Sequence, residues 1–500
     1  MKMKKLLPLS FISLLALVSC GSGTSHVVDQ DLPEDDPTSA QEVVFWHCLG
    51  HAKTTNLEKI VNAFNTEYAG KYHVTLTKLG GDYDTLHDAL KTKLASGEIP
   101  ALSMGYPDSF SEYMTNDITQ SSLLRLDNFL KDKNYGYSET EIADFVPGYY
   151  NEGNQYQFDG VWSMPMYKST EVMYYNQSYF MGVNKLNAKK FKDDVTFMAM
   201  YNNCAGRTSE NDPELQDDLA ELKEWLVAHD GYTYEVPTKW NDMVTLARKM
   251  KADRATEGIT DEFYGIGYDS DANMMISQMK QRGLAYTDSK GSEHFLFNNA
   301  QTDKLVEEIT GYIKEGIFIT KNSLGGTKYT NTYFGDEKIA MSIGSTGGSS
   351  YQISGNFSVK LAPVPYSGDT PYYIQQGPSI CFFDNENPYM HKGAWLFYKK
   401  LAEPQNNADL ALENSYDPIR ISSYETASYK AWLANEGKGL KYDIPSITAR
   451  LKNNYMTSAV FVGSGTARTE IGNTIKYVMR SGYSVRDSVQ AAWQACDDAD

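Results

Sequence analysis

Three short stretches of this 500-residue chain carry residue types that could do chemistry. Gly344-Ser345-Thr346-Gly347-Gly348-Ser349-Ser350 is glycine-rich and follows an apolar run, but it lacks the Gly-Lys-Ser/Thr ending that brings a lysine to a nucleotide's phosphates. Asp269-x-Asp271-x-Asn273 begins like a calcium loop, yet its sixth position is Met274 instead of glycine and its twelfth is Lys280 instead of glutamate. His47, Cys48 and His51 form the one candidate metal cluster. They precede the helix that would set two rings on one side, and no third and fourth ligand can be named, so polar contact or packing is the better reading. No H-E-x-x-H or G-x-S-x-G occurs, and no G-x-G-x-x-G follows a strand. With 64 acidic residues a carboxylate pair for glycoside hydrolysis could arise on folding, but nothing singles one out. No reaction, cofactor or metal is expected.

The elements around these stretches alternate. Glu42-Val43-Val44-Phe45-Trp46 reads as a buried strand, and the next helix carries a capping box at Thr55 and Glu58, with Leu57, Ile60, Val61 and Phe64 on one face. Val74-Thr75-Leu76 is a second strand, Leu86, Leu90 and Leu94 mark a helix stopped by Gly97 and Pro100, and Leu102-Ser103-Met104 is a third strand. This β-α-β-α-β order implies a parallel sheet covered by helices. The theme returns with a helix over 238–250, a strand over 264–268, a helix through Leu305, Ile309 and Ile313, and strands over 339–343 and 359–364. The last hundred residues are mainly helical by period. Two α/β lobes are the economical architecture.

At the start, Lys2, Lys4 and Lys5 precede a short apolar run from Leu6 to Val18, which is too short to span a bilayer. The run ends in Leu17-Val18-Ser19-Cys20-Gly21, which resembles the lipobox where bacterial lipoproteins are cleaved and acylated, so 1–19 is expected to be a signal peptide and Cys20 the lipidated residue. Residues 20–41 hold few apolar side chains and several carboxylates, as a disordered, solvated tether would. The formal charge is −18, and removing the three leader lysines takes it to −21. Nucleic-acid binding needs clustered Lys and Arg, so it is not expected. No later run is long and apolar enough for a membrane helix, which places the body outside the cell on a lipid anchor. Cys48, Cys204, Cys381 and Cys496 are far apart, permit three disulfide connectivities, and read best as buried thiols.

Six landmarks in order carry a family resemblance. They are Val44-Phe45-Trp46-His47 with its helix, Asp159-Gly160-Val161-Trp162-Ser163-Met164-Pro165 leading to Ser169-Thr170-Glu171, Pro237-Thr238-Lys239-Trp240, the segment from Phe334 to Ser345, Ala362-Pro363-Val364-Pro365 followed by Gln376-Gly377-Pro378-Ser379, and Tyr416-Asp417-Pro418-Ile419-Arg420. From Val43 to about Asp497 the chain resembles the extracellular solute-binding proteins of ABC importers, in their carbohydrate and glycerol-3-phosphate branch. Ser415 stands where that family usually has glycine, and roughly forty extra residues lie before Trp240.

The resemblance implies an α/β, two-lobed periplasmic-binding-protein-like fold (type II) with lobes joined by crossover hinge strands. The expected division is 42–166 plus 377–416 for the N-terminal lobe and 167–376 plus 417–500 for the C-terminal lobe, with an insertion inside 177–236. A helical face through Leu215, Leu219, Leu222 and Leu226 shows that at least part of the insertion folds. It reads first as a decoration packed on the second lobe, with partner contact or narrowing of the cleft as the other reading.

Ligands of open α/β sheets sit beyond the carboxyl ends of strands. The resulting candidates are Tyr83 and Asp84, Tyr106 and Asp108, Ser169 and Thr170, Trp240, the turn Ser345, Thr346 and Gly347, then Gly377, Tyr416 and Arg420. Aromatic faces would cover a sugar ring, whereas the turn's N–H groups with Arg420 would suit a phosphate. The implied function is capture of a sugar or oligosaccharide by hinge closure for a membrane permease, by a chain that is a monomer. A phosphate-ester solute is the alternative, and a surface glycosidase or a transporter-independent glycan-binding lipoprotein represents the other classes.

Overall fold

The computed structural model describes residues 29–50, 53–208, 212 and 214–498. The leader and Cys20 lie outside the described residues, as does His51 of the candidate metal cluster. The first part of the chain supplies the strands β1 (Gln41–His47), β2 (Tyr72–Lys78), β3 (Leu102–Gly105) and β4 (Met164–Pro165). The second half adds β5 (Ser169–Asn176), β6 (Gly265–Tyr268), β7 (Phe318–Thr320), β8 (Ile339–Ser345), β9 (Val359–Pro363), β10 (Tyr373–Gln376), β11 (Ser379–Phe382) and β12 (Tyr455–Met456).

Among the described residues these form two sheets. The first runs β2-β1-β3-β11-β4 and the second β12-β10-β5-β8-β6-β7, with β9 on β5. Strands β1, β2 and β3 are parallel, as the alternation of strand and helix implies, but β11 returns antiparallel to β3, so the sheet is mixed. In the second sheet β6 is parallel to β7 and β8, and β5 is antiparallel to β8. The chain leaves the first sheet after Pro165, enters the second at Ser169, leaves it after Gln376 and re-enters the first at Ser379. These two short crossings join the lobes, and a further passage lies between Leu433 and Leu440.

Each sheet has its own core, one around Phe45, Leu102, Trp162 and Trp395 and the other around Val172, Trp240, Ile266 and Met341. Ile419, Tyr424 and Tyr429 belong to the first core, and the second is rejoined at Leu440. The lobe boundary expected after residue 416 therefore falls later, because the helix Ala427–Leu433 buries its face against the first lobe.

Two local expectations also change. The helix Thr55–Glu67 has Thr54 at its N-cap position, where the side chain makes no bond to the helix's first N–H groups and the hydroxyl donates instead to Glu58 at 2.7 Å, so the box expected at Thr55 and Glu58 does not form. The tether expected to be disordered over 20–41 is ordered from residue 29, where it straps the first lobe. Asp29 pairs with Arg125, Glu34 with Lys133 at 2.7 Å and Asp36 with Lys71 at 2.6 Å, while Leu32 is buried. Its carboxylates meet cations on the lobe, and with the apolar burial of Leu32 this offsets the entropy of ordering.

The insertion builds a third, small core from Phe197, Cys204, Leu215, Leu219, Leu222 and Leu226. Lys185 and Tyr232 tie it to the second lobe, the Lys185 ammonium donating to Asp261 and the Tyr232 hydroxyl to Glu257, both at 2.7 Å. Cys48, Cys204, Cys381 and Cys496 are buried, unpaired thiols.

Candidate functional site

The crossings are locked by a buried charge. Lys168, between β4 and β5, is fully buried, and its Nζ pairs with the Glu152 carboxylate while donating to Gly377 O at 3.2 Å and Ser379 Oγ at 2.9 Å. Ser379 Oγ and Gln375 Nε2 also donate to Glu152, at 2.9 and 3.1 Å. Both crossings are thus stitched by one ion pair. Beside it, the Lys168 backbone exchanges hydrogen bonds with that of Asp417, whose carboxylate accepts from Tyr149 at 2.8 Å, from Tyr424 and from Thr448 at 2.8 Å.

Between the lobes, in front of this hinge, lies a cavity of about 440 Å³. Asp84, Tyr106 and Asp108 reach it from the first lobe, and Lys321, Gln376 and Arg468 from the second. It shares Ser270 and Gln376 with a cavity of about 630 Å³ walled by the strand ends of the second sheet. Glu171, Asp269, Asn273, Ser345 and Gln352 line this larger part, with Tyr351 on it. Both sheets thus present their loops to one cleft, as the strand-end rule requires.

Tyr106 and Asp108 stand at a helix start, Pro107 holding the first helical position, after β3. Burial pushes the Asp108 carboxyl above its usual range, opposed by nearby Arg468 and by a 2.7 Å bond from Ser464. Tyr83 packs on Tyr106 with ring centroids 4.6 Å apart, and Tyr167 packs on Tyr416 at the same separation. Tyr416 is wedged between Gly347 and Gly377. A Cβ at Gly347 would fall 2.9 Å from the tyrosine ring, and one at Gly377, whose φ is +97°, would fall 3.0 Å from it. These glycines let the second lobe's turn close on the first lobe's ring.

The other candidates fall elsewhere. Ser169 and Thr170 are buried in the sheet, with Thr170 Oγ1 donating to Ile374 O, so they are hinge residues and not cleft lining. Ser345 lines the larger cavity, whereas Thr346 is buried behind it. Trp240 is 1% exposed and packs on Phe318 in the second core. It borders a different depression with Tyr366 and Arg282, so it presents no face to the cleft. Arg420 lies in the first lobe, where its Nε donates to Asp144 at 2.8 Å and its guanidinium sits 4.5 Å from the Phe145 ring centre. It cannot supply a phosphate contact in the cleft. His47 is buried, its Nδ1 accepting from the Leu49 backbone.

Sequence reasoning missed Glu171, Asp269, Asn273, Lys321, Gln352 and Arg468. Two signals were available. Glu171 is a carboxylate inside the otherwise uncharged strand Ser169–Asn176. The stretch Asp269 to Asn273, read only as a failed calcium loop, follows β6 and opens the helix Asp271–Gln281, the position where an α/β lobe meets ligand. Arg468 lies on the helix Ser464–Arg480, reached through tertiary contact alone. Among the described residues, the insertion lines neither part of the cleft.

Known proteins share this fold. The sn-glycerol-3-phosphate-binding periplasmic protein UgpB of Yersinia enterocolitica is 22% identical over 393 residues, covering 77% of this chain and 75% of that one. The crystal structure of UgpB from Mycobacterium tuberculosis in complex with glycerophosphocholine superposes with a TM-score of 0.64 at 15% identity, over 92% of this chain and 98% of that one. The GacH receptor of Streptomyces glaucescens, solved without ligand and with acarbose, gives 0.63 at 13% identity over 92% and 100%. These structures share the two-lobed fold. The sequence profile of the bacterial extracellular solute-binding proteins matches residues 59–437, and the chain belongs to that family.

Proposed function

We propose that this chain captures a sugar or oligosaccharide between its lobes, closes on it about the two crossings, and delivers it to the permease of an ABC importer, held at the membrane as a monomer by lipid on Cys20. The observation that carries the reading is the composite cleft. First-lobe groups Asp84, Tyr106 and Asp108 face second-lobe groups across one cavity, so a solute touching both walls favours the closed state. Carboxylates, amides and ring faces suit a solute rich in hydroxyls. The GacH receptor, with the same fold, binds acarbose. A phosphate ester is the second reading, supported by Arg468 and Lys321 on the cleft and by the UgpB relatives.

A thermal-shift panel of neutral oligosaccharides and glycerol phosphates tests the choice, since a bound solute stabilises the native state by mass action. The expected result is a rise in melting temperature with a saccharide, a smaller radius of gyration by small-angle scattering with that saccharide present, and recovery of the saccharide uncleaved. A shift with glycerol-3-phosphate alone would select the second reading. A bound solute that leaves the radius of gyration unchanged would remove the hinge.

A further inference from the structure

The larger part of the cleft is dominated by acceptors. Glu171 is 3% exposed, and its carboxylate accepts only from neutral donors, the Tyr268 hydroxyl and Asn273 Nδ2 at 2.8 Å. Asp269 accepts from the Thr330 backbone N–H and hydroxyl, both at 2.7 Å, and from Gln352 Nε2 at 3.3 Å. The two acids flank the end of β8: Glu171 pairs with Ser345, and the Asp269 backbone donates to Ile343 O. Between them Gly344 leaves room, since a Cβ there would stand 2.9 Å from Asp269 Oδ2.

Among the described residues neither carboxylate has a cation at ion-pair distance. Arg468 is bonded to Asn273 Oδ1, and Lys321 Nζ sits 4.1 Å from the centre of the Tyr329 ring. Independently, Gln352 is 3% exposed on the same wall, and its Oε1 has no donor. The bond from its Nε2 to Asp269 fixes which end of the amide is which. Tyr351, 74% exposed, lines the same cavity. Two desolvated acids of like charge and an orphaned acceptor are costly unless a donor-rich cation arrives. An aromatic ring on the same cavity attracts the same charge.

We propose that the Glu171–Asp269 end of the cleft is a subsite for an ammonium group, so that the captured solute is an amine-bearing saccharide. The inference rests on the saccharide reading above for its substrate class, and on the cavity alone for its charge. A solute with only hydroxyls would leave both acids without a counter-charge, whereas a protonated amine at this wall would supply one.

Calorimetry on the full chain with the glucosamine disaccharide, its N,N′-diacetyl derivative and glycerophosphocholine tests this. The free amine is expected to bind about tenfold tighter than the neutral diacetyl form. In Glu171→Gln and Asp269→Asn, each shown folded by its melting curve, that preference should fall to about threefold or less. Equal or tighter binding of the diacetyl form by the unaltered protein would overturn the subsite and leave saccharide capture intact. If glycerophosphocholine binds and weakens in Glu171→Gln while no saccharide binds, the ammonium subsite stands and the saccharide reading falls.

Discussion

Glu152 and Glu171 are both buried carboxylates near the crossings, and the molecule treats them in opposite ways. Glu152 has the fully buried Lys168 as its cation and two further donors in Ser379 and Gln375, all supplied by the chain. Glu171 has hydrogen bonds from Tyr268 and Asn273 but no cation, and it faces the cavity. The charge between the crossings is neutralised by the chain itself. The charge on the cavity wall is left without a cation, as the proposed ammonium subsite requires. On the reading proposed above, Glu152 holds the frame and Glu171 meets the ligand, although both are polar, buried and close in sequence.

Removing the hinge cation should have the largest effect. Lys168→Met leaves Glu152 buried without its partner and should cost about 3–5 kcal/mol, read by calorimetric melting. Combining it with Glu152→Gln removes the orphaned charge and should recover more than half of that loss. A single variant that melts like the unaltered protein would show that Glu152 finds compensation elsewhere, and the contrast with Glu171 would collapse.

Much of the frame was legible because periodicity reports burial. The helix Thr55–Glu67 buries the four predicted residues Leu57, Ile60, Val61 and Phe64, and Leu215, Leu219, Leu222 and Leu226 form the insertion's own core. The site was less legible because its chemistry depends on which way a side chain faces. Trp240 begins a helix with an aromatic where ligand stacking is common, but its face turns into the second core. Arg420 follows Tyr416 by four residues, yet the backbone between them carries it away to Asp144. Asp29 and Glu34 looked solvated because their partners, Arg125 and Lys133, lie about a hundred residues on. Charge complementarity over that separation leaves no local pattern.

Glu171 should give a smaller, pH-dependent effect of opposite sign. Burial pushes its carboxyl up to about 7 in the folded protein, against 4.5 for the free side chain. Because the folded pKa is raised, the contribution to stability is fully present below 4.5 and is lost as pH rises through 7. Glu171→Gln keeps a neutral side chain at every pH, and the Tyr268 hydroxyl can turn to accept from the new amide. The ligand-free variant should therefore be more stable than the unaltered protein by about 1–3 kcal/mol at pH 8 and nearly equal to it at pH 4. Melting curves at the two pH values check it. Destabilisation at pH 8 would mean that the ionised carboxylate is already compensated in the free protein.

The smallest effect is expected at Trp240, where two terms oppose. Trp240→Phe removes part of a buried ring packed on Phe318, which leaves a void and costs stability. The indole Nε1, however, is buried without a hydrogen-bond partner, and phenylalanine removes that unsatisfied donor. The first term is the larger, because a bicyclic ring is replaced by a monocyclic one in a close-packed core, so the net loss should be about 1 kcal/mol. Solute affinity should not change, since the ring borders a depression with Tyr366 and Arg282 and lines neither part of the cleft. Titration of the best saccharide into both proteins, beside their melting curves, reads the two quantities separately. A clear loss of affinity with little loss of stability would place Trp240 among the residues that read the ligand, and the division between frame and cleft would have to be redrawn in the second lobe.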